Sequence, residues 1–410
     1  MTTASAPEAH AAAIAPDRLI EIAERFGTPS YVYDAAAIDA GVARWVEVAG
    51  GADRIWFAVK ANANRTVLAR MLEAGLGLEV STAGEVARAR AAGAVPERIM
   101  FGGVPKRDDE LLEALGGSLD LVILQAPHEV ALAAATSTGT SPAVGLRVRP
   151  GIRAGAHPSL ETAVADAKFG LLPDELPALW ERLSLAPDLR LSALAVHLGS
   201  GVDSLEPYGK ALDLLLGLCD QLGRVGEPVR ELDLGGGLAV RYGEETPPEP
   251  AELAELVRAR IGDRPLAVRF EPGRSIVARS GLLLTRVLYA SRRSGSRALV
   301  CDAAFSDFGR YVLYGAEHRI MPVAGTLAGP PDIDVLGASC ETGDVLGTGR
   351  SLHGVERGDL LAVLDVGAYG MAMASNYNGR RRAPEILVED GEARVIRRRE
   401  TEADFARLEP

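Results

Sequence analysis

Lysine is scarce in this chain. Of 44 basic residues among 410, only Lys60, Lys106, Lys168 and Lys210 are lysine, so chemistry that needs a primary amine has four candidates. Cysteine is as rare. Cys219, Cys301 and Cys340 show no CxxC spacing, which argues against a disulfide framework and a zinc site. No HExxH-like spacing marks a metal site either, and none is expected. No apolar run approaches the roughly 18 residues that a membrane-spanning helix requires. The 56 acidic residues outnumber the basic ones, and a net charge of -12 disfavours a general grip on nucleic acid. The first 16 residues lack the charged and apolar regions of a secretory signal; they read as a disordered extension of a cytoplasmic protein.

What is present is a rhythm. Amphipathic Asp17–Phe26 reads as a helix and Pro29–Tyr33 as a short strand. From Ile55 onward, strand-like runs alternate with helix-like stretches such as Thr66–Ala74 and Leu205–Leu222. The runs are Ile55–Ala61, Leu78–Thr82, Ile99–Gly103, Leu121–Leu124, Val144–Val148, Leu191–His197, Glu231–Leu234 and Leu266–Glu271. Eight such alternations predict an α/β fold, a (β/α)8 TIM barrel; a doubly wound open sheet is the rival and more often stops short of eight strands. After Arg274 the runs Leu282–Arg292, Arg297–Asp302, Tyr311–Tyr314, Leu360–Val366 and Glu385–Val395 predict a second, mostly antiparallel β-barrel or sandwich domain. The expected division is an N-terminal segment at 17–37 belonging to the β-domain, the barrel at 38–280, and the β-domain at 281–410.

In a barrel the residues just past the C-terminal strand ends face the active site. The first strand run closes on Lys60. An ammonium among apolar residues is costly unless paired or reacted, so Lys60 is either a snorkelling edge residue or a Schiff-base amine. The sixth ends in His197-Leu198-Gly199-Ser200, where the histidine is structural or catalytic. The seventh ends in Gly235-Gly236-Gly237, a tight turn or a phosphate cradle. The eighth ends in Glu271-Pro272-Gly273-Arg274, where Glu271 pairs with Arg274 or faces a cofactor nitrogen. An amine, a phosphate cradle, a histidine and a buried carboxylate suit pyridoxal 5'-phosphate better than a metal.

Nine collinear motifs then carry a resemblance. FAVKAN (57–62), GLEVSTAGE (77–85), AKFG (167–170), HLGS (197–200), GGGL (235–238), EPGRSIV (271–277), GRYVLYGAEH (309–318), CETGD (340–344) and GAYGMAMASNYNGRRRAPEILV (367–388) resemble the diaminopimelate decarboxylase family. Its members belong to the alanine-racemase-like, fold-type III pyridoxal-phosphate decarboxylases. The resemblance implies that Lys60 bonds the cofactor, that His197 lies against its ring, and that Ser200, Gly236, Gly237, Gly273 and Arg274 hold the phosphate, with Tyr369 reaching it from the β-domain. It implies that Glu271 pairs with the pyridinium nitrogen, and that Arg274, Arg310 and Tyr314, beside Tyr369, hold the far end of the substrate. Cys340 and Glu341 match a pair supplied by the partner in a homodimer with shared sites. The implied reaction takes meso-2,6-diaminopimelate to L-lysine: loss of CO2 leaves a carbanion at Cα that the protonated ring delocalises, and Cys340 or Lys60 returns the proton. Alanine racemases are known for an arginine where this chain has Glu271, which favours decarboxylase over racemase. A non-catalytic relative would lack the lysine or the cofactor contacts, and this chain has them.

Departures cluster near the expected mouth of the site. Gly201 replaces the family's glutamine, Arg149 an asparagine, Thr342 a serine, and Tyr311 and Val312 a Pro-Ala pair. The alternative they raise is a paralogue acting on a different, or carrier-tethered, amino acid.

Overall fold

The computed structural model describes residues 13–136, 142–155, 157–293 and 295–409. Most of the expected N-terminal extension lies outside them. Within them, Pro16 opens the helix Pro16–Phe26, with proline in its first turn and Gly27, at φ 74°, ending it. The chain divides into two compact units, one of Val42–Val240 with Thr246–Ser275, the other of the residues up to Gly41, Arg241–Glu245, and Ile276 onward. Among the described residues no helix is long and apolar enough to cross a membrane.

After β1 (Ser30–Asp34), the first unit contains β2 (Trp56–Ala58), β3 (Gly77–Val80), β4 (Ile99–Phe101), β5 (Leu121–Leu124), β6 (Ala143–Arg147), β7 (Arg190–Ala195), β8 (Glu231–Asp233) and β9 (Ala267–Arg269). These eight pair in sequence order and in parallel. A bridge between Ile55 and Phe270, with the Trp56 N–H donating to the Phe270 carbonyl at 2.8 Å, brings β2 to β9 and closes the barrel. Parallel strands buried on both faces explain why each was readable as an apolar run. Trp56, Met100, Leu121, Ile123, Ala143, Ala193 and Ala195 form a buried cluster, large beside small, so the barrel is packed rather than open. Each large side chain so buried stabilises the fold by about 1.5–3 kcal/mol. Arg269 pairs with Asp120, just before β5, and with Glu231.

The second unit adds β10 (Gly281–Arg293), β11 (Ser296–Cys301), β12 (Ile320–Pro322), β13 (Ile333–Leu336), β14 (Val345–Arg350), β15 (Leu360–Val363), β16 (Glu385–Glu389) and β17 (Glu392–Arg397). Its sheet runs β14-β13-β11-β10-β1-β16-β17, with β15 also on β10 and β12 on β15. Pairing is antiparallel except β1–β16 and β11–β13. Val32, Leu282, Leu284, Leu364 and Ile386 are buried in one core with the N-terminal helix residues Leu19 and Ile22.

Two expectations are corrected here. Tyr311–Tyr314 is no strand but part of a short helix, Arg310–Tyr314, ended by left-handed Gly315 at φ 60°. Its β-branched and aromatic residues mimic strand propensity, and local turn formation overrides it. Glu385–Val395 is not one strand but a hairpin, turning at Asp390 (φ 50°) and Gly391 (φ 79°) between β16 and β17.

Candidate active site

The C-terminal strand ends of the barrel gather an ionisable cluster. β2 stops at Ala58, and Lys60 sits in the single 3-10 turn Val59–Ala61 that follows. The turn lifts Lys60 out of the strand: its side chain is 36% exposed, with Nζ 3.6 Å from Oε2 of buried Glu79 on β3. Accessibility beside a carboxylate is what a reactive amine needs.

His197 follows β7. Its Nδ1 accepts the Gly236 N–H at 3.2 Å and lies 4.0 Å from Oε2 of Glu271. Burial, then the charges of Lys60 and Arg147, hold His197 well below its ordinary range. An accepting Nδ1 and a depressed basicity agree on a neutral imidazole.

Glu271, two residues beyond β9, is buried. Burial, then the charges of Asp233 and Glu79, push its carboxyl well above the usual range. Buried Asp233, at the end of β8, is raised by burial too, and accepts a hydrogen bond from Glu271. Two desolvated carboxyls in contact cannot both ionise cheaply, so the pair retains one proton. Lys60 and Arg147 balance the remaining negative charge of this pair and of Glu79.

Two glycine turns lie side by side beyond β7 and β8. The Gly201 and Val202 N–H groups both donate to the Gly237 carbonyl, at 2.9 and 2.8 Å, and the Tyr208 hydroxyl donates to the Gly236 carbonyl at 2.8 Å. Gly237 has φ 99°, and a Cβ there would meet the Gly199 carbonyl at 2.3 Å, so no other residue fits. Gly201 has φ 87° and its added Cβ would meet nothing within 4 Å. The departure from glutamine therefore leaves open space above the turn. Arg274 Nη2 donates to Ser200 Oγ at 2.7 Å, placing a guanidinium against this turn. Gly273 packs on the end of β2 and the turn that follows, where a Cβ would lie 3.1 Å from that of Ala58 and 2.8 Å from that of Ala61.

These residues fit pyridoxal phosphate. Backbone turns, a hydroxyl and a guanidinium suit a phosphate. The accessible amine suits an aldehyde. The Glu271–Asp233 pair, beside His197, suits a protonated ring nitrogen. Sequence reasoning missed Glu79, Arg147 and Asp233 as site groups. The signal was there, since a charged residue inside an otherwise apolar barrel strand points inward.

The remaining predicted residues belong to the second unit and form two groups. Buried Arg310 has its guanidinium carbon 5.9 Å from the ring centres of Tyr242 and Tyr369, and Tyr369 itself is left-handed at φ 59°. Tyr314 ends the same short helix. The other group is the Cys340–Asp344 turn. Asp344 accepts the Phe305 and Ser339 N–H groups, each at 2.8 Å. The Cys340 N–H donates to Asn378 Oδ1 at 3.0 Å, and the Tyr377 hydroxyl donates to Glu341. Cys340, Glu341 and Thr342 are exposed. Two departures have structural roles: Arg149 donates to the Ala167 carbonyl, bracing the AKFG segment, and the Tyr311 hydroxyl meets Thr348 Oγ1 at 2.9 Å.

Comparison with known proteins agrees with this geometry. The profile described as pyridoxal-dependent decarboxylase, pyridoxal binding domain, matches residues 35–278. A diaminopimelate decarboxylase of Pseudomonas aeruginosa is 41% identical over 386 residues, 93% of either chain. One from Zymomonas mobilis is 36% identical over 399 residues, 95% of this chain and 94% of its own. The crystal structure of diaminopimelate decarboxylase from Helicobacter pylori complexed with L-lysine superposes with a TM-score of 0.90 at 33% identity, covering 95% of this chain and 99% of that one. With a barrel that presents a lysine, a proton-sharing acid pair and a phosphate cradle, the chain belongs to the diaminopimelate decarboxylase family of pyridoxal-phosphate-dependent decarboxylases.

Proposed function

We propose that this protein decarboxylates meso-2,6-diaminopimelate to L-lysine and CO2. The observation that carries the reading is the buried carboxyl pair Glu271 and Asp233, with His197 4.0 Å from Glu271, at the same barrel end as Lys60. The names of the relatives, and the lysine held by the Helicobacter pylori enzyme, support the substrate.

When bound, pyridoxal phosphate supplies the electron sink that carbanion formation requires. The rest falls to the chain. Lys60 would hold the cofactor through its amine and, when that amine is free, would serve as a base or acid beside Glu79. Glu271 keeps a proton at the ring nitrogen. His197, neutral, covers the ring without adding a competing charge. Ser200, Gly236, Gly237, Gly273 and Arg274, with Tyr369, hold the phosphate. Cys340 or Lys60 delivers the proton that replaces CO2 at Cα.

Selection of a diamino-diacid rests on pairing. Arg274, Arg310 and Tyr314 receive the distal carboxylate and Glu341 the distal ammonium; a substrate lacking either leaves its partner unmatched, which discriminates strongly. The exposure of Cys340 and Glu341 on a turn held firmly by Asp344 supports a homodimer, in the cytoplasm, in which each subunit lends this turn to its partner's site.

Arg310→Ala tests the substrate reading. It is expected to raise KM for diaminopimelate by about 10²-fold, while cofactor content, read from visible absorbance, stays intact. Equal loss of cofactor binding and turnover would remove Arg310 from the substrate and with it this reading.

A further inference from the structure

His318 closes the GRYVLYGAEH segment and has so far had no role. Its imidazole is 1% exposed. Nε2 receives the Nε–H of Arg310 at 3.3 Å, and Nδ1 meets the Leu364 carbonyl at 2.8 Å. A guanidinium only donates and a carbonyl only accepts. The two contacts together therefore require a neutral imidazole protonated on Nδ1.

The ring is held from both sides. Tyr242 lies against it with centroids 4.6 Å apart and Phe308 meets it edge-on at 4.8 Å. Leu364 directly follows β15, and its own N–H is bonded to the Arg319 carbonyl at 2.9 Å, so the acceptor for Nδ1–H is anchored to the sheet. A hydrogen-bonded line thus runs from the sheet through Leu364 and His318 to Arg310. A phenyl ring would pack equally well here. What imidazole adds is one donor and one acceptor, and both are used.

We propose that His318 is a positioning residue that sets the plane of the Arg310 guanidinium, and so the selection of a substrate with a distal carboxylate. An arginine side chain is long and rotamer-rich, and its value in binding a carboxylate lies in the aim of its planar fork. The hydrogen bond to Nε fixes rotation about the Cδ–Nε bond and hence the direction of the terminal Nη edge. This inference rests on the reading of Arg310 as the receiver of that carboxylate.

The test is steady-state kinetics on meso-diaminopimelate with the pyridoxal-phosphate-loaded enzyme and four variants: His318→Leu, His318→Asn, Arg310→Ala and the His318→Asn/Arg310→Ala double. His318→Asn keeps a donor for Leu364 but is too short to reach Arg310, so it separates aim from folding if the leucine variant fails to fold. Both single His318 variants are expected to raise KM about tenfold with kcat changed less than about threefold. In the Arg310→Ala background, His318→Asn is expected to add less than about twofold, because its effect passes through a side chain already gone. An unchanged KM in His318→Asn beside a raised KM in Arg310→Ala overturns the inference, as does an undiminished effect in the double variant. An unchanged KM in Arg310→Ala overturns the substrate reading itself, and the inference with it.

Discussion

Replacing Lys60 with alanine is expected to abolish the visible absorbance of lysine-bound cofactor and to lower turnover by a factor on the order of 10⁴ or more. No other lysine can substitute. Lys106 is committed to the Gly103 and Ile123 carbonyls at 2.8 and 2.6 Å and to Glu129 at 3.4 Å, with its side chain wholly buried. Burial also holds its ammonium below the ordinary range. Lys210 pairs with Glu206 at 2.7 Å on an exposed helix face, and Lys168 lies over the Phe169 ring at 5.5 Å. Only Lys60 combines access with a neighbouring carboxylate at a barrel strand end. Absorbance spectra and CO2 release on the purified variant check this. A surviving lysine-bound band would mean that another amine carries the cofactor.

Glu271→Gln is expected to cost about 10²- to 10³-fold in kcat, with cofactor still bound through Lys60. The amide keeps the shape of the acid and loses the proton that Glu271 shares with Asp233. Without it a ring nitrogen is less readily kept protonated, and the carbanion left by CO2 is poorly delocalised. The same substitution has a signature free of catalysis. An acid whose folded-state value is raised favours the folded state only while protonated; that contribution is present at low pH and lost as pH rises through the raised value. Cofactor-free wild-type protein should therefore lose melting temperature as pH rises above the ordinary carboxylate range, and Glu271→Gln should lose less. An unaltered kcat would remove Glu271 from the chemistry.

The barrel was legible because strands buried on both faces must be apolar and must end where charge begins. Lys60, His197, the Gly235–Gly237 run and Glu271 stood out for the same reason, as functional types at strand ends. Less legible were β12, β13 and β14. Ile320–Pro322 and Ile333–Leu336 are too short to show a period, and Val345–Arg350 is interrupted by Gly347 and Gly349, so pairing partners rather than propensity make them strands. The charges of Asp233 and Glu79 inside apolar strands were legible, but alternation alone reads as a solvent-facing position; the closed barrel is what places them in the site. His318 was unreadable as a support for Arg310, because its anchor at Leu364 depends on a strand paired on both sides and lying 46 residues away in the chain.

The central claim is that this chain releases CO2 from a diamino-diacid. The most direct measurement is CO2 release by the purified, pyridoxal-phosphate-loaded protein across meso-diaminopimelate, lysine, ornithine and arginine, with amino-acid products quantified. The expected result is CO2 and L-lysine in equal amounts from meso-diaminopimelate, with kcat/KM for the other three lower by about 10²-fold or more. Faster release from lysine, ornithine or arginine, or racemisation of diaminopimelate without CO2, would contradict it.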